Sequence, residues 1–297
     1  MRRTVGVVLH LRARPGALIA TLALTAPIVV LATAASAFGV SVLKQEFAPF
    51  ANCPVETAAI CTIATTTSGE FKLDSKTTKI EHPVVLQGGL LSEAFGDQPL
   101  IAPTSGEALS KVTQEVPGGL TGLSEAIGGP VTATAELAGP VSGVLINKGN
   151  LLSLSGTAVM LPIKVKLDNE LLGANCYIGS DSEPIVLHLT TGTTSPSLPN
   201  QPITGSRGTL EGAGKGKIVK IKGNSLVDNN FAVPGANGCG SSPLLFDALV
   251  DAGVGIPAPA GFNTAIMNGE LEETASVWAA KYKPKAKKPK KEKKPRA

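Results

Sequence analysis

Aromatic residues are scarce in this chain: it has one tryptophan, two tyrosines and eight phenylalanines among 297 residues. A hydrophobic core must therefore be built from valine, leucine, isoleucine and alanine, which make up most of the 43% hydrophobic share. Clefts that cleave polysaccharides usually carry aromatic platforms, so the composition argues against a sugar hydrolase.

Histidine is also scarce, with three in the whole chain. Nucleophilic hydrolysis needs a positioned serine or cysteine, a base and a group that orients the base. The chain has no Gly-x-Ser-x-Gly elbow. His82 precedes Pro83 in a predicted turn, and His188 alternates with apolar residues in a predicted strand. We interpret both histidines as structural or solvated, and the sequence predicts no catalytic residue and no cofactor.

Three pairs of carboxylates have the spacing that glycoside hydrolysis could use. Each pair lies in sequence that we interpret as turn-like or exposed, so solvated charge is the favoured interpretation. The pairs are Asp168 with Glu170, Asp181 with Glu183, and Glu272 with Glu273.

The four cysteines are Cys53, Cys61, Cys176 and Cys239. An even number in an exported chain indicates two disulfides, with three possible connectivities. We favour Cys53–Cys61, which closes a short loop, and Cys176–Cys239, whose local sequences are similar. The rival interpretation is a structural zinc site, but no two cysteines have the usual ligand spacing, and no metal is predicted.

The first 37 residues resemble a secretory leader. Four arginines without any acid precede an apolar run from Ala17 to Ala32, and the small residues of 35–37 suit a signal peptidase. An uncleaved membrane anchor is the alternative, but Pro27 interrupts the run and small residues end it. The sequence therefore predicts a signal peptide over residues 1–37 and a protein that is secreted or associated with the cell envelope.

The 33 glycines and 22 prolines are typical of many short strands joined by turns. Apolar and polar residues alternate strictly in 163–167, and the clearest β region runs from Val131 to Leu167. We predict an all-β fold, a disulfide-stapled β-sandwich or distorted barrel, over residues 38–278, with a possible internal boundary near 128–130. One short helix is expected from Pro243 to Ala252, capped by Ser242 and ended by glycine.

The charge is divided between the body and the tail. Residues 38–278 carry a net charge of −9, whereas residues 279–297 carry +9. The Lys/Pro-rich tail cannot bury enough apolar surface to offset its ordering entropy, so we expect it to be disordered. Its cations predict non-specific binding to polyanions, although a solubilising role without a partner is the alternative. The candidate binding residues are Lys281, Lys283, Lys285, Lys287, Lys288, Lys290, Lys291, Lys293, Lys294 and Arg296.

Two loops carry weak ligand patterns. Residues 211–217 are rich in glycine and lysine, but they lack the spacing and the Ser/Thr of a phosphate-binding loop, so we predict a turn. Residues 228–230, Asp-Asn-Asn, offer oxygen ligands without the downstream pattern of a calcium loop.

Several strings resemble a family of secreted actinobacterial proteins that has no assigned activity. They are Ala-Asn-Cys-Pro (51–54), Thr-Ser-Gly-Glu-Phe-Lys (67–72), Leu-Gln-Gly-Gly (86–89), Val-Pro-Gly-Gly-Leu (116–120), Cys-Tyr-Ile-Gly-Ser (176–180), Leu-Thr-Thr-Gly-Thr-Thr (189–194), Gly-Asn-Ser-Leu-Val-Asp-Asn (223–229) and Asn-Thr-Ala (263–265). The resemblance implies export and a β domain with paired cysteines, and it supplies no catalytic or binding residue. The lysine tail departs from it.

These observations lead to two hypotheses about function. The first is a non-enzymatic extracellular or envelope protein, tethered by its basic tail to anionic wall polymers or to a membrane surface. The second is a secreted hydrolase of wall polysaccharide or ester. Specific nucleic-acid recognition is not predicted, because the tail lacks a series of stacking aromatics. The oligomeric state stays open.

Overall fold

The computed structural model describes residues 42–92, 94–119 and 130–282. They belong to a unit that spans Val40–Ala297. The predicted signal peptide, residues 128–129 of the possible internal boundary and the tail from residue 283 onward lie outside the described residues.

Strands from residues 60–90 and from residues 209–275 form one antiparallel sheet, called sheet A. Its members are β1 (Ile60–Leu73), β2 (Lys76–Lys79), β3 (Val84–Leu90), β11 (Thr209–Ala213), β12 (Ile218–Asp228) and β14 (Thr264–Ala275). The order is β11-β12-β14-β1-β2, and β3 pairs with β1 beside β2. The longest strand, β1, therefore has β14 along one side and β2 and β3 along the other.

The middle of the chain forms the second sheet, sheet B, which is also antiparallel. Its members are β4 (Asp97–Pro99), β5 (Thr113–Glu115), β6 (Thr132–Leu137), β7 (Leu145–Asn147), β8 (Val159–Asp168), β9 (Tyr177–Ile178), β10 (Ile185–Leu189) and β13 (Ala236–Asn237). The order is β13-β9-β8-β6-β5, with β10 and β7 also paired to β8. Strand β8 alternates as predicted: Ile163, Val165 and Leu167 are buried, whereas Lys164 and Lys166 are less so.

The two sheets pack face to face as a sandwich, which confirms the all-β prediction; in the described residues they do not close into a barrel. The main core lies between them, with Leu90 and Leu100 of the first half and Leu187 of β10 almost fully buried. A second cluster, which includes Phe47 and Phe50, covers the outer face of sheet A.

The prediction of a single helix is wrong. Four short α-helical segments lie in the described residues: residues 42–46, α1 (Lys148–Ser153), α2 (Pro243–Val254) and α3 (Ser276–Tyr282). Two 3₁₀ turns, Ala48–Asn52 and Val141–Gly143, accompany them. Helix α1 interrupts the region that we expected to be continuous β structure, because the side chain of Asn147 accepts a hydrogen bond from the Asn150 N–H and caps it.

Helix α2 begins at Pro243, as the sequence predicts, and ends two residues later than predicted. Pro243 occupies its first turn, but the Ser242 side chain makes no capping hydrogen bond. The helix continues to Val254 and ends at Gly255, whose φ of +87° suits glycine. It buries Val250 and Val254 against the core and leaves Leu244 90% exposed.

Candidate functional site

Both pairs of cysteines are bonded in the pairing that the sequence favours. Cys53 is linked to Cys61 and Cys176 to Cys239, with 8 and 63 residues of sequence separation. The first bond attaches the 3₁₀ turn Ala48–Asn52 to the start of β1, and the second attaches the end of the β8–β9 loop to the segment before α2. The two disulfides indicate that the protein matures in an oxidising compartment.

The first and last described segments meet on the outer face of sheet A. The Phe47 and Tyr282 rings stack with their centroids 4.7 Å apart. Phe47 is 1% exposed, and Ala279 of α3 is buried in the same cluster. The chain therefore enters and leaves the described fold at one place, and residue 283, where the basic tail continues, follows directly from it.

A basic aromatic patch, consisting of Lys217, Trp278, Lys281 and Tyr282, lies at this exit. The Lys217 Nζ lies 3.7 Å from the centre of the Trp278 ring, and the Lys281 Nζ lies 5.3 Å from the same centre. Trp278 is the single tryptophan of the chain. Cations over an indole face are attracted by its quadrupole, so the ring holds two lysines close together.

Lys217 belongs to the glycine-rich segment of residues 211–217. Residues 214–217 form the hairpin turn between β11 and β12, whereas residues 211–213, which we predicted as part of the turn, end β11. Gly214 has a φ of +58°, and a Cβ there would lie 2.9 Å from Ile218 and 3.0 Å from the Phe47 ring. Glycine therefore lets the turn pack tightly on the aromatic cluster and brings Lys217 over Trp278.

Of the predicted polyanion-binding residues, only Lys281 lies in the described part of the chain, in the last turn of α3. The other nine, from Lys283 to Arg296, lie outside the described residues. Sequence analysis missed Lys217 as a member of the patch, because its turn is 61 residues from Trp278 along the chain. The sequence signal that could have indicated the patch was the single tryptophan, which lies next to the basic tail.

An apolar cavity of about 110 Å³ lies between the two sheets. All its lining side chains but Lys76, Thr78 and Gln114 are apolar. These three lie on β2 and β5, which are end strands of the two sheets, so the cavity reaches one edge of the sandwich. We define this space as the intersheet cavity.

Small side chains on β6 leave this space open. Ala133 and Ala135 line the cavity from sheet B, opposite Leu167 and Val165 of β8 in the strand register. Both alanines are only partly buried although they face the interior. The alternating Thr-Ala-Thr-Ala sequence of β6 was a signal for this, since it places a row of small residues on one face of a strand.

The side chain of Gln114 connects β5 to the loop between β2 and β3, beside the cavity. Its Oε1 accepts hydrogen bonds from the backbone N–H groups of Glu81 and His82, at 2.9 and 3.1 Å. Its Nε2 donates to the His82 carbonyl at 2.9 Å. Gln114 is 8% exposed, and these three hydrogen bonds hold β5 of sheet B to the loop that precedes β3 of sheet A.

The two histidines lie where the sequence analysis places them. His82 is in the exposed turn before β3, and His188 projects outward from β10 between buried Leu187 and Leu189. His82 therefore lies in a loop and His188 on sheet B, and the His188 backbone N–H donates to the Asp228 carboxylate at 2.6 Å.

The expected exposure of the carboxylate pairs is correct for two pairs and wrong for the third. Glu272 and Glu273 lie within β14 and are largely buried, and neighbours on a strand point to opposite faces. Glu272 pairs with Lys220, and Glu273 lies 3.7 Å from the Lys148 Nζ.

Asp168, Glu170, Asp181 and Glu183 are exposed as predicted. The Lys164 Nζ donates a hydrogen bond of 2.8 Å to Asp181, which holds the pKa of that carboxyl below its ordinary value.

The oxygen-rich loop of residues 228–230 organises the backbone. The two carboxylate oxygens of Asp228 accept from the N–H groups of His188 and Asn230. Asn229 donates from its side chain to the Gln201 carbonyl at 2.8 Å, and the Asn230 side chain accepts from the Ser197 N–H at 2.8 Å. These contacts attach the 194–201 loop to the end of β12.

Asp228 supplies a prediction about pH. Burial raises the pKa of its carboxyl above the ordinary value of 3.8, and the hydrogen bonds from Asn230 and His188 act in the opposite direction. Between the two values the folded state binds more protons than the unfolded state, so the free energy of unfolding falls as pH rises through this window. The expected result concerns the difference in free energy of unfolding between the unchanged protein and the Asp228→Asn variant. We expect this difference to decrease from pH 3.8 upward and then to level off. Urea unfolding at a series of pH values measures the difference, and a difference that rises with pH contradicts the prediction.

Compared with models of protein families, with curated proteins and with solved structures, the chain matches none. No helix in residues 42–92, 94–119 and 130–282 combines the length and apolar character that a membrane crossing requires. Within the same residues, no three His, Cys, Asp or Glu side chains are grouped closely enough to hold a metal ion.

Proposed function

We propose that this is a secreted, non-enzymatic protein of the cell envelope, held to anionic polymers or lipid headgroups by its basic tail. The observation that carries the proposal is the basic aromatic patch at the root of that tail. Lys217 and Lys281 lie over Trp278 at the point where the chain continues into nine further cations. The cations of the tail therefore follow those of the patch directly along the sequence.

The electrostatics of this arrangement favour a polyanion. The residues from 38 to 278 are net negative, so a basic tail gives the protein one attractive end and a body that anionic surfaces repel. Binding by counterion release needs no defined ligand geometry and weakens steeply with salt. Near an anionic membrane each lysine contributes about 1 kcal/mol.

Secretion is part of the proposal and is supported by the leader pattern and by the two disulfides. Membership in the secreted actinobacterial family is likewise proposed, on the strings quoted above. Mass spectrometry of protein from the culture medium tests export: we expect an amino terminus at Phe38, and an intact Met1 contradicts it.

The tail is tested by changing its charge while keeping its length. We expect replacement of the nine cations from Lys283 to Arg296 by glutamine to weaken binding to phosphatidylglycerol vesicles and to polyphosphate at least about tenfold at low salt. The matched control replaces the eight tail lysines by arginine, which keeps the charge and should keep the binding. Cosedimentation measures the vesicle arm, and fluorescence anisotropy of labelled protein measures the polyphosphate arm.

The emission of Trp278 shows whether the patch takes part. A shift to shorter wavelength on addition of vesicles places the ring at the lipid interface, whereas binding to polyphosphate alone assigns the tail to wall-type polymers. The proposal is overturned if the glutamine variant binds both the vesicles and polyphosphate as tightly as the unchanged protein does.

A further inference from the structure

We propose that the intersheet cavity binds the aliphatic chain of a medium-chain fatty acid, with the carboxylate at Lys76. This inference is independent of the tail, because the cavity lies between the sheets whereas the tail leaves from the outer face of sheet A. It assigns to the β domain a binding site for a small amphipathic ligand.

The walls of the cavity have the chemistry of a hydrocarbon site. Sheet A contributes Phe71, Leu73 and Met267, and β8 contributes a row of four branched aliphatic side chains from Leu161 to Leu167. A methylene chain loses no hydrogen bonds on entering such a space and leaves water, which is the main favourable contribution to binding of apolar groups.

The size of the cavity limits the length of the chain. A methylene group is close to a water molecule in size. A space of about 110 Å³ therefore has room for several methylenes, which favours a chain of medium length. Longer chains would have to extend into solvent at the edge of the sandwich.

The residues at the edge of the sandwich indicate where the polar end of the ligand binds. Lys76 lines the cavity from β2 and makes no ion pair within the described residues. The other polar lining residue of β2 is Thr78, which can donate from its hydroxyl. Gln114 already accepts two hydrogen bonds from the 81–82 backbone and donates one to it, which fixes its side chain beside Lys76 and Thr78. One cation at the mouth of a hydrocarbon slot matches one carboxylate at the end of a chain.

A larger side chain in place of an alanine of β6 would fill the cavity and so test whether the ligand binds there. We expect the purified, disulfide-bonded protein to bind one decanoate, with affinity rising about fourfold per methylene from hexanoate to decanoate. Ala135→Leu should weaken decanoate binding at least about tenfold, because the new side chain occupies the space of the ligand. Thr134→Leu is the matched control, since it adds a leucine to the opposite face of β6 and should bind like the unchanged protein. Isothermal titration calorimetry measures all of these affinities.

The carboxylate contact is tested by removing its charge and by removing the ligand's charge. Lys76→Met keeps an apolar stem, and we expect it to weaken decanoate binding roughly two- to fivefold while leaving decanol binding unchanged. All of these variants keep the basic tail. Adsorption of decanoate to the tail lysines would therefore be equal in every variant and cannot explain a difference in affinity between them.

The unchanged protein also provides a test that needs no variant. On titration with decanoate, the methyl NMR signals of Ala133, Ala135 and Met267 should shift together, and those of the exposed Leu244 should stay in place. Absence of saturable binding, equal binding by Ala135→Leu, or shifts confined to surface methyls each overturns the proposal. If Ala135→Leu does not fold, Ala133→Leu and the methyl shifts decide the question.

Discussion

Replacing both Cys176 and Cys239 by alanine is expected to lower the free energy of unfolding by about 4 kcal/mol. The bond closes a loop with a sequence separation of 63 residues, and the chain-entropy model relates the stabilisation to the logarithm of that length. Both cysteines are fully buried, so the small side chains that replace them also lose some packing. Urea unfolding at equilibrium measures the change.

The other disulfide provides the matched control. Cys53–Cys61 has a separation of only 8 residues, and its removal by the same double substitution should cost about 2.5 kcal/mol. Equal losses for the two variants, or a larger loss for the short loop, contradict the assignment of stability to loop length.

Asn263→Ala is expected to lower the free energy of unfolding by about 3 kcal/mol or more. The Asn263 side chain is completely buried. Its Oδ1 accepts from the Asp74 N–H at 3.0 Å, and its Nδ2 donates to the carbonyls of Phe231 and Pro259 at 2.8 and 3.2 Å. Alanine leaves all three backbone groups without this partner, and each buried group left unpaired costs about 1–3 kcal/mol.

Asn237→Ala is the matched control for this prediction. Its side chain also donates to two backbone carbonyls, those of Gly179 and Tyr177, but Asn237 is exposed and water can replace it. We expect a loss below about 1 kcal/mol by urea unfolding. If the two alanine variants lose the same stability, burial does not decide the value of the Asn263 contacts.

The strands were predictable where one face is buried and the other is wet. Residues 163–167 alternate because Ile163, Val165 and Leu167 face the second sheet while the lysines between them face solvent. Strand β14 was harder to recognise, because Glu270, Glu272 and Glu273 lie inside it. Lysines on neighbouring elements pair with two of these acids: Lys220 of β12 with Glu272, and Lys148 of α1 with Glu273. These partners are far from the acids in sequence, so the sequence alone does not reveal them.

The buried asparagine network was not predictable either. Asn263 and Asn200 read as ordinary turn residues, yet they join segments that are up to 189 residues apart in sequence. Such residues stabilise the fold through geometry that arises only after the strands have paired.

The sequence by itself determined the class of fold, the favoured cysteine pairing and the charge difference between body and tail, because these depend on composition, local alternation and spacing. Only the tertiary structure decided the intersheet cavity and the basic aromatic patch. The cavity requires β2 and β5 to end beside each other with two alanines of β6 between the sheets, and the patch requires the 214–217 turn to lie on α3. Both depend on contacts between distant segments, which follow from packing and sheet order rather than from any local pattern.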